Sequence, residues 1–187
     1  MRTSQRSLNG IDVDALKETI STIEAQPDLA RFAFRANTTW RGGARATTTI
    51  QGFWGAGHED DSRTEPFELE GDEPPVLLGG NRAPNAVETV LHALTSCLTV
   101  GLVYNAAARG IEIEALDFDV EGTLDLQPFL GLSDDHRPGY DAITVRYRVQ
   151  ADAPRETIEE LCRYVQRTSP VMDVITNPVP VEVVLEA

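Results

Sequence analysis

Val13, Leu16, Ile20 and Ile23 recur at helical spacing among polar neighbours and predict an amphipathic helix over 12–25. Asp12 is placed to cap it, and Gln26-Pro27-Asp28 to stop it. From Phe32 to Phe53 the pattern turns to β-type, with threonines on both sides of Arg41-Gly42-Gly43, and predicts a hairpin. Residues 55–75 are acidic and broken by Gly and Pro, which predicts loop with one short strand near Phe67–Leu69. Then comes the longest apolar stretch, Ala86 to Ala108, a long helix with Gly110 as its left-handed cap. Leu116, Phe118 and Val120 alternate with acids, and Ile143, Val145, Tyr147 and Val149 with polar residues, as half-buried strands do. Residues 127–140 between them predict a long loop. Pro154 opens another helix with an apolar stripe of Ile158, Leu161, Cys162 and Val165; Ser169-Pro170 ends it, and a short turn or helix follows. Val179, Val181, Val183 and Leu185 alternate as a closing strand. Strands that cluster rather than alternate with helices indicate an α+β fold.

Length and charge narrow this picture. The chain has 187 residues, which fits one domain over 1–187, with residues 1–30 as a helical N-terminal extension. Thirty acidic residues against 16 basic ones give a net charge of −14, which repels phosphate backbones and anionic lipid. No nucleic-acid or membrane partner is expected. Glu88, His92 and Asn105 interrupt the 86–108 stretch, favouring a helix inside protein over a membrane span. The N-terminal residues carry no apolar run like that of a signal peptide, and two cysteines are too few for a disulfide scaffold, so a cytoplasmic protein is expected.

Candidate chemistry centres on Cys97, midway along the long helix. A cysteine there serves as a small hydrophobe or as a thiolate nucleophile, and the second role requires a cation or helix terminus beside it. At ~100° per residue its face carries Val90, Ala93, Leu94, Gly101, Tyr104 and Ala108, with Tyr104 the only polar side chain. Any activating arginine must come from another segment. Glu88 is an acidic partner for such an arginine, or an acid stabilised by the helix N-terminus; ideal geometry sets it opposite Cys97. Cys162 belongs to the apolar stripe and reads as core. His58, His92 and His136 are dispersed, so no metal site is expected. Neither a nucleophile elbow nor a dinucleotide or phosphate loop is present, and no cofactor is expected.

The run Ala83-Pro84-Asn85 through Glu88 to Ala93-Leu94-Thr95-Ser96-Cys97-Leu98 resembles the signature of the OsmC/Ohr family of thiol peroxidases. Asn105 to Ile111, Asp72-Glu73-Pro74 with Leu77-Leu78-Gly79, Gly131-Leu132 through Tyr140, and Ser169-Pro170-Val171 fit in order. The resemblance covers most of the chain from about Trp40 onward. It implies antiparallel sheets around a long buried central helix, in an intertwined homodimer. It further implies that Cys97 attacks an organic hydroperoxide and becomes a sulfenic acid, polarised by an arginine paired with a glutamate. Arg41 and Arg45 are the candidates, Arg45 favoured by its place in the strand after the turn, with Glu88 as the glutamate. A second cysteine would resolve the intermediate, but Ser169 stands at that position. Cys162 lies two turns earlier, roughly 10 Å along the helix. The expected enzyme is therefore a hydroperoxide reductase recycled by an external thiol. The competing expectation is a non-catalytic dimer that binds a small apolar ligand, with Cys97 as packing.

Overall fold

Asn9 and Gly10 hold positive φ, 54° and 77°, and turn the chain tightly between β1 (Ser7–Leu8) and β2 (Ile11–Asp12). Asn-Gly is the pair that accepts this geometry at both positions of a two-residue hairpin loop. The computed structural model describes residues 7–186, which form two compact units. One comprises residues 14–90, the other residues 7–13 with 91–186.

In the 14–90 unit, α1 (Val13–Ala25) covers the predicted amphipathic segment, and a short 3-10 turn at Pro27–Ala30 follows it. Next come β3 (Phe32–Ala33), β4 (Asn37–Gly42) and β5 (Arg45–Ile50). The β4–β5 hairpin pairs Thr38 with Thr48 and Thr39 with Thr47, and it shifts register between Trp40 and Gly42. Strands β6 (Phe53–Gly55), β7 (His58–Asp60) and β8 (Phe67–Gly71) complete two antiparallel sheets, ordered β3-β6-β7 and β4-β5-β8.

The loop after β8 is organised by one carboxylate. Asp72 is buried and accepts the backbone N–H groups of Glu73 (2.9 Å), Gly80 (3.1 Å) and Arg82 (3.1 Å). Burial alone would raise the Asp72 carboxyl. The three N–H donors, with help from the Arg45 charge, outweigh it and hold the carboxyl below its ordinary value. The same loop delivers Asn85 to the start of α2 (Ala86–Arg109), where Asn85 and Glu88 cap reciprocally. Asn85 Oδ1 accepts from the Glu88 N–H at 2.9 Å, and Glu88 Oε2 from the Asn85 N–H at 2.8 Å.

In the other unit, α2 ends as its sequence requires. Gly110, at φ 74°, donates to Ala107 O, and Ile111 donates to Ala106 O, so two orphan carbonyls are satisfied by a left-handed cap. Strands β9 (Ile113–Thr123) and β10 (Ala142–Ala151) pair antiparallel, with Val120 opposite Val145 and Phe118 opposite Tyr147. Their outer face carries the charges, with Arg148 bonded to Asp119 at 2.8 Å. Asn9 ties β1–β2 to this unit: its amide donates to Ile111 O and accepts from Ile113 N–H. α3 (Arg155–Thr168) and α4 (Pro170–Thr176) follow. Leu94, Leu98, Leu102 and Ala106, spaced one turn apart on α2, form the core with Leu161, Cys162 and Val165 of α3. The inner residues of β9 and β10 pack against that core.

Three expectations change. The 55–75 segment holds strand β7 and the end of β6 before β8, because Ala56 and Gly57, both at positive φ, make a second tight turn. Polar His58-Glu59-Asp60 gives no alternating pattern, so only backbone pairing with β6 makes it a strand. Residues 7–30 contain a hairpin as well as a helix, and residues 1–6 of the expected extension lie outside the described residues. The closing strand is absent: 178–186 are without strand pairing, and Val183 and Leu185 are 91% and 97% exposed. Alternation supplies a face, but a strand also needs a ladder partner.

Candidate functional site

Cys97 lies midway along α2, half-buried, beside the Leu94–Leu98 core stripe. Seventy-two residues further on, the chain breaks between α3 and α4 because Pro170 cannot continue α3. That break carries Ser169, 5% exposed, to the Cys97 sulfur. The Ser169 hydroxyl donates to Cys97 Sγ at 3.2 Å and accepts the Met172 N–H at 3.2 Å as the cap of α4. With both functions engaged, the hydroxyl has one orientation.

The two residues line an open pocket of about 620 Å³ with Val100, Gly101, Tyr104 and Tyr164. Every lining side chain is uncharged, as on the face read from helical spacing. But Ser96 and Asn105 join Tyr104 as polar side chains of α2 there, and Leu94 belongs to the core instead. Just outside the lining, the guanidinium groups of Arg109 and Arg167 lie 5.0 and 5.8 Å from the Tyr164 ring centre. Gly101 admits the approach of α3: a Cβ there would stand 2.7 Å from Val165 Cγ1.

Cys162 has a different setting. It is 3% exposed, and burial pushes its thiol up, only partly offset by a hydrogen bond with Tyr147. Together they border a cleft of about 490 Å³ between β10 and α3, whose lining does not include Cys97. Burial, reinforced by Cys162, raises the Tyr147 hydroxyl from 10.0 to about 12.

The predicted arginines are found in the 14–90 unit, around Glu70. Arg41 Nε donates to Thr47 Oγ1 at 3.2 Å, and Thr47 Oγ1 donates to Glu70 Oε1 at 2.8 Å. Arg45 reaches Glu70 Oε2 at 3.6 Å. Among the described residues no three His, Cys, Asp or Glu side chains converge as a metal centre would need.

The family model for OsmC-like protein matches residues 79–184, more than half of the chain and all of the segment that carries Cys97 and Ser169. The chain belongs to the OsmC-like protein family. Its fold agrees. An OsmC-like protein from Mycoplasma pneumoniae matches with a TM-score of 0.61 at 14% identity, over 78% of this chain and 88% of that one. An OsmC-like protein of unknown function from Vibrio cholerae matches at 0.57 and 12%, over 75% and 91%. An organic hydroperoxide resistance protein, OsmC, from Legionella pneumophila matches at 0.53 and 14%, over 76% and 88%. No curated protein matches the chain. The α+β architecture, with antiparallel sheets and a long central helix, is thus that of OsmC-like proteins.

Within this OsmC-like chain, Cys97, Ser169 and Tyr104 meet at one pocket, and Cys162 belongs to the core beside a second cleft. Glu88 gives its carboxylate to the α2 cap. The acid that meets Arg45 is Glu70, which strand alternation in β8 presented only as one of several exposed acids. Tyr164 and the two arginines over its ring also escaped the sequence reading. Their grouping has no local signature until α3 and the end of α2 come together.

Proposed function

We propose that this chain is a cysteine-based peroxidase that reduces organic hydroperoxides at Cys97. One observation carries the reading: the Cys97 sulfur, bonded by a hydroxyl, opens onto a pocket with an uncharged and largely apolar lining. Such a lining suits the carbon portion of an organic hydroperoxide, and the family resemblance, with a Legionella neighbour named for hydroperoxide resistance, supports it.

In the reaction the sulfur attacks one peroxide oxygen. An S–O bond forms, the O–O bond breaks, and the departing alkoxide takes a proton and leaves as the alcohol. Sulfur is oxidised by two electrons to a sulfenic acid. An external thiol then attacks the sulfenic sulfur, forming a mixed disulfide and releasing water. A second thiol exchanges into that disulfide and returns Cys97 to the thiol. Arg41, Arg45 and Glu88 enter this proposal as candidate activating residues on the strength of the resemblance alone. The proposal also includes a homodimer, supported by the exposed Val100 and Tyr104 on α2 and the bare valines of 179–184. Sedimentation velocity tests it, and a monomer at micromolar concentration counts against it.

Hydroperoxide consumption by reduced protein, supplied with monothiol or dithiol reductants, tests the enzyme reading, with Cys97→Ser as control. Turnover lost in Cys97→Ser and a sulfenic acid trapped at Cys97 are expected. No turnover with any reductant and no trapped sulfenic acid rejects it. The uncharged lining also suits a second reading, a non-catalytic receptor for a small apolar ligand, which predicts that outcome together with saturable binding of an apolar fluorophore.

A further inference from the structure

We infer that Ser169 is a catalytic hydrogen-bond donor to the Cys97 sulfur, and that its hydroxyl commits this centre to one-cysteine chemistry. The inference rests on Cys97 being the nucleophile. Three observations carry it. The Ser169 oxygen is 3.2 Å from the sulfur, within hydrogen-bond range. Ser169 is buried, so water does not compete for its proton as it would at the surface. Its oxygen already accepts the Met172 N–H, which leaves the hydroxyl proton for the sulfur.

The consequence follows from the chemistry of sulfur. A hydroxyl proton aimed at the sulfur bonds more strongly to the thiolate than to the thiol, because a charged acceptor strengthens the bond. The donor therefore steadies the negative charge the sulfur carries when it attacks. After attack the same hydroxyl faces a sulfenic sulfur, with which an alcohol makes no disulfide. The oxidised centre stays open to the pocket until a thiol from outside enters, attacks sulfur and expels water.

The test is alkylation of Cys97 by iodoacetamide, read by peptide mass mapping, in parent, Ser169→Ala, Ser169→Gly and Ser169→Thr proteins. Glycine is nearly as good a helix cap as serine, so Ser169→Gly removes the hydroxyl with little cost to α4. Near neutral pH, alkylation slows several-fold in the Ala and Gly variants, the loss of thiolate stabilisation being partly offset by the greater nucleophilicity of an unbonded sulfur. At high pH the deficit closes or reverses, because a thiolate freed of a donor is the stronger nucleophile; Ser169→Thr keeps the parent rate. Unchanged or faster alkylation near neutral pH in both variants, with circular dichroism like the parent, overturns the inference. Slowed alkylation in the two variants, together with a parent protein that no hydroperoxide oxidises, upholds the donor role and overturns the peroxidase reading instead.

Discussion

Gly101 of α2 faces Val165 of α3 so closely that a methyl group at Gly101 would lie 2.7 Å from Val165 Cγ1. Valine branches at Cβ and cannot swing that methyl aside without meeting other core atoms. Overpacking of this kind costs about 1–3 kcal/mol, and the better helix propensity of alanine returns about 1. Gly101→Ala is therefore expected to lower stability by about 1 kcal/mol, a Tm decrease of a few degrees for a chain of this size. Thermal unfolding followed by circular dichroism checks it, and a higher Tm would contradict the close packing.

Ser169→Cys places a second sulfur where an oxygen now stands 3.2 Å from Cys97 Sγ. A disulfide needs ~2.05 Å between sulfurs, a closure that small side-chain rotations can supply. Hydroperoxide treatment of this variant is expected to join Cys97 to the introduced cysteine in a disulfide, with both thiols lost. Mass spectrometry under non-reducing conditions reads it directly. If both cysteines stay free and alkylatable after oxidation, the side chains do not approach as described.

Asp72 sets an acid limit. Its folded-state carboxyl is held below the ordinary value, so it contributes stability above the unfolded pKa near 3.8, lost as pH falls through the lower folded value. Asp72→Asn offers the backbone donors of Glu73, Gly80 and Arg82 one acceptor oxygen and a competing amide. The variant should be less stable at neutral pH and lose less further stability below pH 3.8 than the parent. Urea unfolding across that range decides; equal acid sensitivity would remove Asp72 from the account.

Tyr147 sets the alkaline counterpart. Its folded-state value of about 12 exceeds the unfolded 10.0, so its contribution is whole below pH 10 and disappears as pH rises toward 12. Ultraviolet titration should show Tyr147 ionising late, and Tyr147→Phe should remove its share of the late step. A late step of unchanged size in Tyr147→Phe would assign it elsewhere. Cys162, raised by the same burial, should react with iodoacetamide far more slowly than Cys97 in the folded chain.

What could be read from the residues was local. The turn-by-turn recurrence of Val13, Leu16, Ile20 and Ile23 needs only its own helix to declare itself, and so does Gly110 beyond Arg109. The alternation in β9 and β10 likewise encodes one wet face and one dry one, and the Ala93-Leu94-Thr95-Ser96-Cys97 helix carries the family. Cys97 was legible for that reason, and Cys162 as core through its stripe. Where a strand depends on its partner, the pattern misleads in both directions. His58-Glu59-Asp60 becomes a strand through β6, and the valines of 179–183 do not become one within this chain. The site itself belonged to tertiary structure. The hydrogen bond from Ser169 to Cys97 spans 72 residues, and the pairing of Arg45 with Glu70 arises from the register of β5 and β8. Sequence determined the helices and the two long alternating strands, because helix and strand periodicity act over a few residues. Only the folded chain decided which side chains meet, because that depends on how faces distant in sequence bury against one another.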